Sequence, residues 1–211
     1  MYDDDILKDD QTTIEDDENA AKMKDIIDNI ELLTADYLQK AHVETITELT
    51  QQQYTGLLHF IAIQYFKPTK VLYKHTPAAS HDKYITLMFD DVLINMLCDY
   101  YIYISALHNK VSNPYGFASL IGSDVDTLKR WEGLESQRPL AYGTTKKLRK
   151  AYETGLENGA QSGKNPVGFI AALNHRFNWS SDSKPQLTVN ITRSQDQILP
   201  SFDAGLITEK P

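Results

Sequence analysis

Basic side chains are concentrated in the segment from residue 129 to residue 150. It contains seven Lys and Arg residues and two acidic residues, which gives it a local charge of +5. Ammonium and guanidinium groups are the donors with which proteins bind the phosphate oxygens and base edges of DNA. The segment is therefore a candidate surface for a polyanion. The overall charge of −8 does not argue against this, because the charge is unevenly distributed along the chain.

Other patterns that could carry chemistry are weak. The glycine-rich segment 159–164 resembles a phosphate-binding loop, but three residues separate its glycines where such a loop has four, and Asn165 replaces the required Ser or Thr. The six histidines lack the i, i+4 pairing of a helical metal site, and the single cysteine, Cys98, falls inside a predicted core helix. Adjacent acids such as Asp90 and Asp91 are typical of helix caps. We therefore expect no enzyme activity, no cofactor and no metal site.

A helix-turn-helix pattern directly precedes and enters the basic segment. Asn113-Pro114 is typical of a helix cap followed by a first-turn proline. Gly122 suits the left-handed residue that ends a helix, and Asp124 suits the cap of the next one. Two short helices joined by a tight glycine turn are the arrangement that many DNA-binding proteins place in the major groove.

Two groups of basic residues in this region are candidate DNA contacts. Lys129 and Arg130 lie on the second helix of the pattern. Four more lie on a third helix, predicted from Thr144 to Asn158, namely Lys146, Lys147, Arg149 and Lys150. The carboxylates of Asp124 and Asp126 repel phosphate, so we expect modest, salt-sensitive affinity carried as much by the third helix as by the second.

The elements that support this unit are predicted to be helices. Apolar residues recur at helical spacing in residues 19–33 and 44–66, and Lys67-Pro68 is expected to end the second of these helices. Residues 75–82 are predicted to form a loop. The strongest periodic signal runs from Lys83 to His108, and it predicts a central helix that is buried on two sides.

The last predicted helix begins at Asn165-Pro166, after the glycine-rich break, and ends at Phe177. Beyond Ser180 the sequence becomes polar. There, Leu187, Val189 and Ile191 alternate with polar residues, which is the only clear strand pattern in the sequence. A lone strand leaves backbone donors and acceptors unpaired, so these three residues predict a strand that pairs between the subunits of a homo-oligomer.

Composition sets the fold class and the organisation. The 211 residues, 41% of them hydrophobic and 24% charged, fit a globular, mainly α protein: a helical bundle that contains a helix-turn-helix and one short C-terminal strand. Residues 1–18 carry nine acids and one base, and are expected to be a disordered acidic arm. N-terminal helices follow at 19–75, a helical core at 83–179, and the strand and tail at 180–211.

The sequence also bears on the compartment. A single cysteine permits no internal disulfide and favours a reducing environment. No apolar run approaches the roughly 20 residues needed to span a bilayer. We therefore expect a cytoplasmic protein.

A succession of motifs between Lys83 and Trp179 carries a family resemblance. The motifs are Tyr100-Tyr101-Ile102-Tyr103, Gly116-Phe117-Ala118 with Ile121-Gly122, Asp126-Thr127-Leu128 with Trp131, and Asn165-Pro166-Val167-Gly168 closing on Phe177-Asn178-Trp179. Over this range the chain resembles the small terminase subunits, or DNA-packaging proteins, of phages and prophages of Gram-positive bacteria. The Asn-Pro-Val-Gly segment and its aromatic end are the most specific part of the resemblance.

The resemblance implies a non-enzymatic, ring-forming protein of the bacterial host cytoplasm. Such a protein recognises double-stranded viral DNA and presents it to the large terminase subunit, which holds the ATPase and the nuclease. The resemblance also implies that four residues face DNA, namely Ser123, Thr127, Lys129 and Arg130. Asn165, Pro166, Phe177 and Trp179 would be structural.

Two other functions are compatible with the same residues. A helix-turn-helix regulator of transcription or replication in a phage or mobile element would act as a dimer, whereas a packaging ring has many copies. A scaffold protein would dock its basic segment on an acidic partner and would not bind DNA. The salt dependence of DNA binding distinguishes the scaffold from the other two.

Overall fold

The computed structural model describes residues 4–76, 86–162 and 166–177, and gives their side chains except at 4–16, 75–76 and 86–87. The fold is mainly α, as predicted, with one short hairpin of two antiparallel strands. The helices are α1 (Asp4–Ala41), α2 (Gln51–Ile61), α3 (Lys67–Thr69), α4 (Asp91–Leu107), α5 (Pro114–Leu120), α6 (Val125–Glu132), α7 (Pro139–Gln161) and α8 (Pro166–Phe177). The strands are β1 (Tyr73–Thr76) and β2 (Thr86–Phe89).

Helix α4 lies at the centre of the bundle, as the sequence predicts. It packs against α1 on one side and α7 on another. Leu93, Ile94, Leu97 and Tyr101 are almost completely buried along it. One hydrophobic core joins Ile94, Leu97 and Tyr101 to buried side chains from α1, α2, α5, α6 and α7, so the predicted N-terminal helices and helical core share it.

The start of α4 differs from the prediction. The predicted helix from Lys83 to His108 begins only at Asp91, because the Asp90 carboxylate caps it by accepting hydrogen bonds from the backbone N–H groups of Val92 and Leu93. Before the cap, β2 pairs with β1, and the rings of Tyr73 and Phe89 stack with centroids 4.4 Å apart. Residues 77–82 of the predicted loop lie outside the described residues.

The N-terminal segment also differs from the prediction. Helix α1 begins at Asp4, so residues 4–18 are helical where a disordered arm was expected. The apolar residues Met23, Ile26 and Ile30 are buried and anchor the helix. Extending an existing helix costs far less than nucleating one, and acidic residues near a helix N-terminus are favoured by its dipole.

The second predicted helix is divided. A capping box at Thr50 starts α2, and a π-helical turn at Ala62–Phe66 connects it to the short α3. Pro68 lies in the first turn of α3, which ends at Lys70 in the left-handed conformation (φ 53°). The chain therefore continues in helical form through Lys67-Pro68 for a few residues before it enters β1.

Two long polar side chains join the N-terminal helices to the loop that leads into α5. The Gln51 amide accepts a hydrogen bond from the backbone N–H of Val111 (3.0 Å) and donates one to its carbonyl (3.1 Å). The Lys110 ammonium donates to the carbonyls of Thr47 (2.9 Å) and Leu49. The position of α5 is therefore set partly by the N-terminal helices.

Candidate nucleic-acid interface

The local signals predicted for the helix-turn-helix are confirmed by α5 and α6. Asn113 caps α5 by accepting a hydrogen bond from the N–H of Gly116 (2.7 Å), and Pro114 occupies its first turn. Gly122 lies in the left-handed region (φ 67°). Asp124 caps α6 by accepting a hydrogen bond from the N–H of Thr127 (2.6 Å).

The helix-turn-helix has a small apolar core. Phe117 and Ile121 from α5 and its C-cap pack with Leu128 and Trp131 from α6, and all four are almost fully buried. The opposite side of α6 is exposed, so its polar residues are available to a ligand.

Both basic residues on the exposed side of α6 already have partners. The Lys129 ammonium lies 3.0 Å from the Asp126 carboxylate, and this hydrogen bond is the main reason that the pKa of Lys129 is raised. Arg130 donates to the Thr127 hydroxyl (2.8 Å), which in turn donates to Asp124 (2.7 Å). Ion pairs this exposed are weak, so a phosphate can compete for both cations.

The other two predicted DNA contacts on this unit are less open. The Thr127 hydroxyl is engaged on both sides by Arg130 and Asp124. Ser123 is half-buried in the turn, and its N–H donates to the carbonyl of Ala118 (2.9 Å). The structure therefore leaves Lys129 and Arg130 as the principal donors of α6.

The four basic residues predicted on the third helix lie on α7 but do not share one surface. Lys147 points to α4, where its ammonium donates to Asp99 (2.6 Å) and Asn95 (3.1 Å). Lys146, Arg149 and Lys150 are exposed. Lys147 thus holds two helices together, and the other three form the outward basic stripe of α7.

A cluster of cationic and aromatic side chains connects this stripe to the helix-turn-helix. We call it the cation–aromatic cluster. The Arg176 guanidinium of α8 lies over two rings, those of Tyr115 in α5 (5.5 Å) and Tyr152 in α7 (5.7 Å), and Arg149 lies over Phe177 (5.7 Å). Such contacts hold a cation at the surface without neutralising it.

Tyr115 of the cation–aromatic cluster is about half exposed. The pKa of Lys129 is raised mainly by its hydrogen bond to Asp126, and Tyr115 adds a smaller contribution. Sequence reasoning missed Arg176 and Tyr115 as candidate contacts, because they come together only when α8 folds onto α5 and α7. No spacing rule within the chain indicates that contact.

Arg138, the remaining base of the segment, is structural. Its guanidinium donates to both carboxylate oxygens of Asp91 at the start of α4, one of them at 3.0 Å, and lies 5.5 Å from the centre of the Trp131 ring. Both partners of this ion pair are largely buried. The pair therefore positions α6 and α7 on α4.

Among the described residues no group of three or more His, Cys, Asp or Glu side chains could hold a metal ion. Cys98 is buried between α4 and α7, and burial raises the pKa of its thiol to about 12. No helix within these residues is long and apolar enough to cross a membrane. The proposed oligomerisation residues Leu187, Val189 and Ile191 lie outside the described residues, as do Asn165 and Trp179.

No family model, curated protein or solved structure matches the chain.

Proposed function

We propose that the protein is a DNA-binding subunit of the small-terminase type, which recognises phage DNA and presents it to a large terminase motor during genome packaging. The proposal is supported above all by the exposed bases Lys129 and Arg130 on the second helix of the helix-turn-helix. The packaging role comes from the resemblance over residues 83–179. In this role the chain forms a ring of copies and has no catalytic activity of its own.

The charges suggest how such a subunit would hold DNA. Lys129 and Arg130 on α6 would reach the groove and the nearest phosphates, and the exposed bases of α7 would hold the flanking backbone. Asp124 and Asp126 lie beside the α6 bases and limit the affinity for base edges. Binding would therefore be dominated by phosphate contacts and would depend strongly on salt.

The decisive measurement is the salt dependence of affinity for duplex DNA between about 50 and 200 mM salt. Replacing Lys129 and Arg130 by Ala should reduce the slope of log affinity against log salt by up to about two units, since each lost phosphate contact removes about 0.9 unit. A matched control replaces Lys24 and Lys40 of α1, which lie outside the proposed surface, and should leave the slope unchanged.

Two outcomes would change the proposal. An unchanged slope in a folded Lys129/Arg130 variant would favour a scaffold that docks on an acidic partner. Native mass spectrometry tests the packaging role separately, because a ring contains many copies. A dimer that binds DNA would favour a transcription or replication regulator.

A further inference from the structure

A surface cavity of about 210 Å³ lies between the turn of the helix-turn-helix and the segment that contains α3. Phe66 and Ile121 are buried and form its floor, and Lys67 and Lys70 are exposed at its edge. Among the described residues, its lining is Phe66, Lys67, Lys70, Tyr73, Ile121 and Gly122. It therefore combines an apolar floor, two ammonium groups and the turn of the helix-turn-helix.

The backbone brings these groups together. Lys67 begins α3, and Lys70 is the left-handed residue that follows its last residue, Thr69; both lysines line the cavity. The Lys67 stem runs along the turn: a Cβ added to Gly122 would lie 3.5 Å from the Cγ and the Cε of Lys67. The first residue of α3 and the turn of the helix-turn-helix are thus in direct contact.

The two lysines give the cavity a positive charge. Within the described part of the chain neither Lys67 nor Lys70 has a carboxylate within 4 Å, whereas Lys129 and Lys147 are both paired. None of the described residues that line the cavity is acidic. Burial raises the pKa of Tyr73, so its phenol is neutral at cellular pH and adds no negative charge.

The sequence contains a signal for this site that the local charge count of residues 129–150 does not reveal. Between Glu48 and Asp82 there are three lysines, Lys67, Lys70 and Lys74, and no acidic residue. This basic stretch belongs to the N-terminal half, which the family resemblance does not cover. In the folded chain, Lys67 and Lys70 of this stretch lie next to the turn of the helix-turn-helix.

We propose that the Lys67–Lys70 cavity binds a backbone phosphate of the same DNA duplex that α6 contacts. This inference rests on the proposed DNA-binding function. In helix-turn-helix complexes the first helix crosses the DNA backbone while the second enters the groove, so phosphates pass close to the turn. Two lysines fixed beside Gly122 would clamp one of them and set the register of α6 on the duplex.

The test replaces Lys67 and Lys70 by Gln, which removes both charges and keeps the Cγ of residue 67 beside Gly122. Affinity for a short duplex is measured by fluorescence anisotropy across a salt series, on the full chain. The slope of log affinity against log salt should fall by up to about 1.8 units. The matched control, Lys24→Gln with Lys40→Gln, should have the wild-type slope.

Three results would overturn the inference, and they are distinguishable. If the wild type binds DNA and the Lys67/Lys70 variant has the same slope, the cavity does not contact phosphate although the proposed function stands. If the slope of log affinity against log salt falls as much in the control as in the Lys67/Lys70 variant, the change reflects the lower net charge of the protein and not a contact at the cavity. If the wild type does not bind DNA, both proposals fail.

A second experiment uses inorganic phosphate, because a free anion could bind to the same two lysines. It is titrated alone and followed through the amide resonance of Gly122. Saturable phosphate binding that is lost in the Lys67/Lys70 variant, together with an unchanged DNA slope, would assign the cavity to a free anion and overturn its role in DNA binding.

Discussion

The Tyr101 hydroxyl fixes the start of the helix-turn-helix. It donates a hydrogen bond to the carbonyl of Asn113 (3.1 Å) and accepts one from the N–H of the same residue (3.1 Å). Gly116 lies directly beneath it, where an added Cβ would come within 2.5 Å of the hydroxyl oxygen. The sequence predicts the Asn113 cap from local spacing, but it gives no sign of a partner in another helix.

Gly116→Ala should therefore destabilise the protein by about 1–3 kcal/mol, because the methyl group overpacks the site and displaces the Tyr101 hydroxyl. Gly143→Ala in α7 is the matched control, since nothing lies within 4 Å of its added Cβ. It should stabilise the protein by about 0.5–1 kcal/mol through helix propensity. Urea unfolding measures both, and equal stabilities for the two variants would show that Tyr101 moves aside without cost.

Helix α6 depends on the charge state of its cap. The side-chain and backbone hydrogen bonds from Thr127 lower the pKa of Asp124 below its ordinary value. A lowered pKa in the folded state means that the carboxylate stabilises the protein above its unfolded-state pKa, and that this contribution is lost as the pH falls through the folded-state pKa. The cap thus also adds a negative charge to the exposed side of α6.

Two substitutions separate these roles. Asp124→Ala should lower the melting temperature at pH 7, and the difference from wild type should shrink at acidic pH. Asp124→Asn keeps a capping oxygen and removes the charge, so it should retain most of the stability and bind DNA more tightly at low salt. Thermal melts at several pH values and anisotropy titrations check the two expectations. A weaker-binding Asn variant would argue that Asp124 does not face DNA.

At the same scale the sequence predicts the caps of the helix-turn-helix and misses the hairpin. Caps are local, so Asn113, Gly122 and Asp124 are readable from the chain itself. The apolar run before Asp90 fits a helix as well as a strand, and only its pairing with β1 decides between them. The cation–aromatic cluster and the Lys67–Lys70 cavity depend on contacts between distant segments, so their members can be identified as basic or aromatic but not as neighbours.

Two tyrosines, Tyr54 and Tyr101, are among the largest side chains in the hydrophobic core. Tyr54 and Tyr101 are almost fully buried, and the Tyr54 hydroxyl lies 3.0 Å from that of Ser105. Burial raises the pKa of Tyr54 to about 12 and also raises that of Tyr101. Unfolded tyrosines ionise near pH 10, so above about that pH the unfolded state loses protons that the native state keeps.

Stability should accordingly be insensitive to these phenols at neutral pH and fall steadily between about pH 10 and 12. Absorbance at the tyrosinate band and far-UV circular dichroism, recorded on the same alkaline titration, check this. The last tyrosines should ionise together with the loss of helical signal. Complete ionisation near pH 10 with the helices intact would contradict the burial of Tyr54 and Tyr101.

Assembly is tested by truncation after Ser183, which removes the proposed intersubunit strand with Leu187, Val189 and Ile191. The helical signal should persist, because the core comes from residues 23–148, and the assembly mass in light scattering should fall. A truncated chain with the full assembly mass would place oligomerisation in the helices instead.

The hydrogen bonds of Gln51 to the backbone of Val111, and of Lys110 to the carbonyl of Thr47, tie the helix-turn-helix to the rest of the chain. The backbone that leads into α5 is satisfied by a side chain of α2, and Lys110 of that same loop satisfies carbonyls that precede α2. A fragment that contained only the helix-turn-helix would leave both sets of polar groups without these partners. The helix-turn-helix of this protein is therefore not a unit that can be grafted into another scaffold by itself, and a stable chimera would have to include α2 as well.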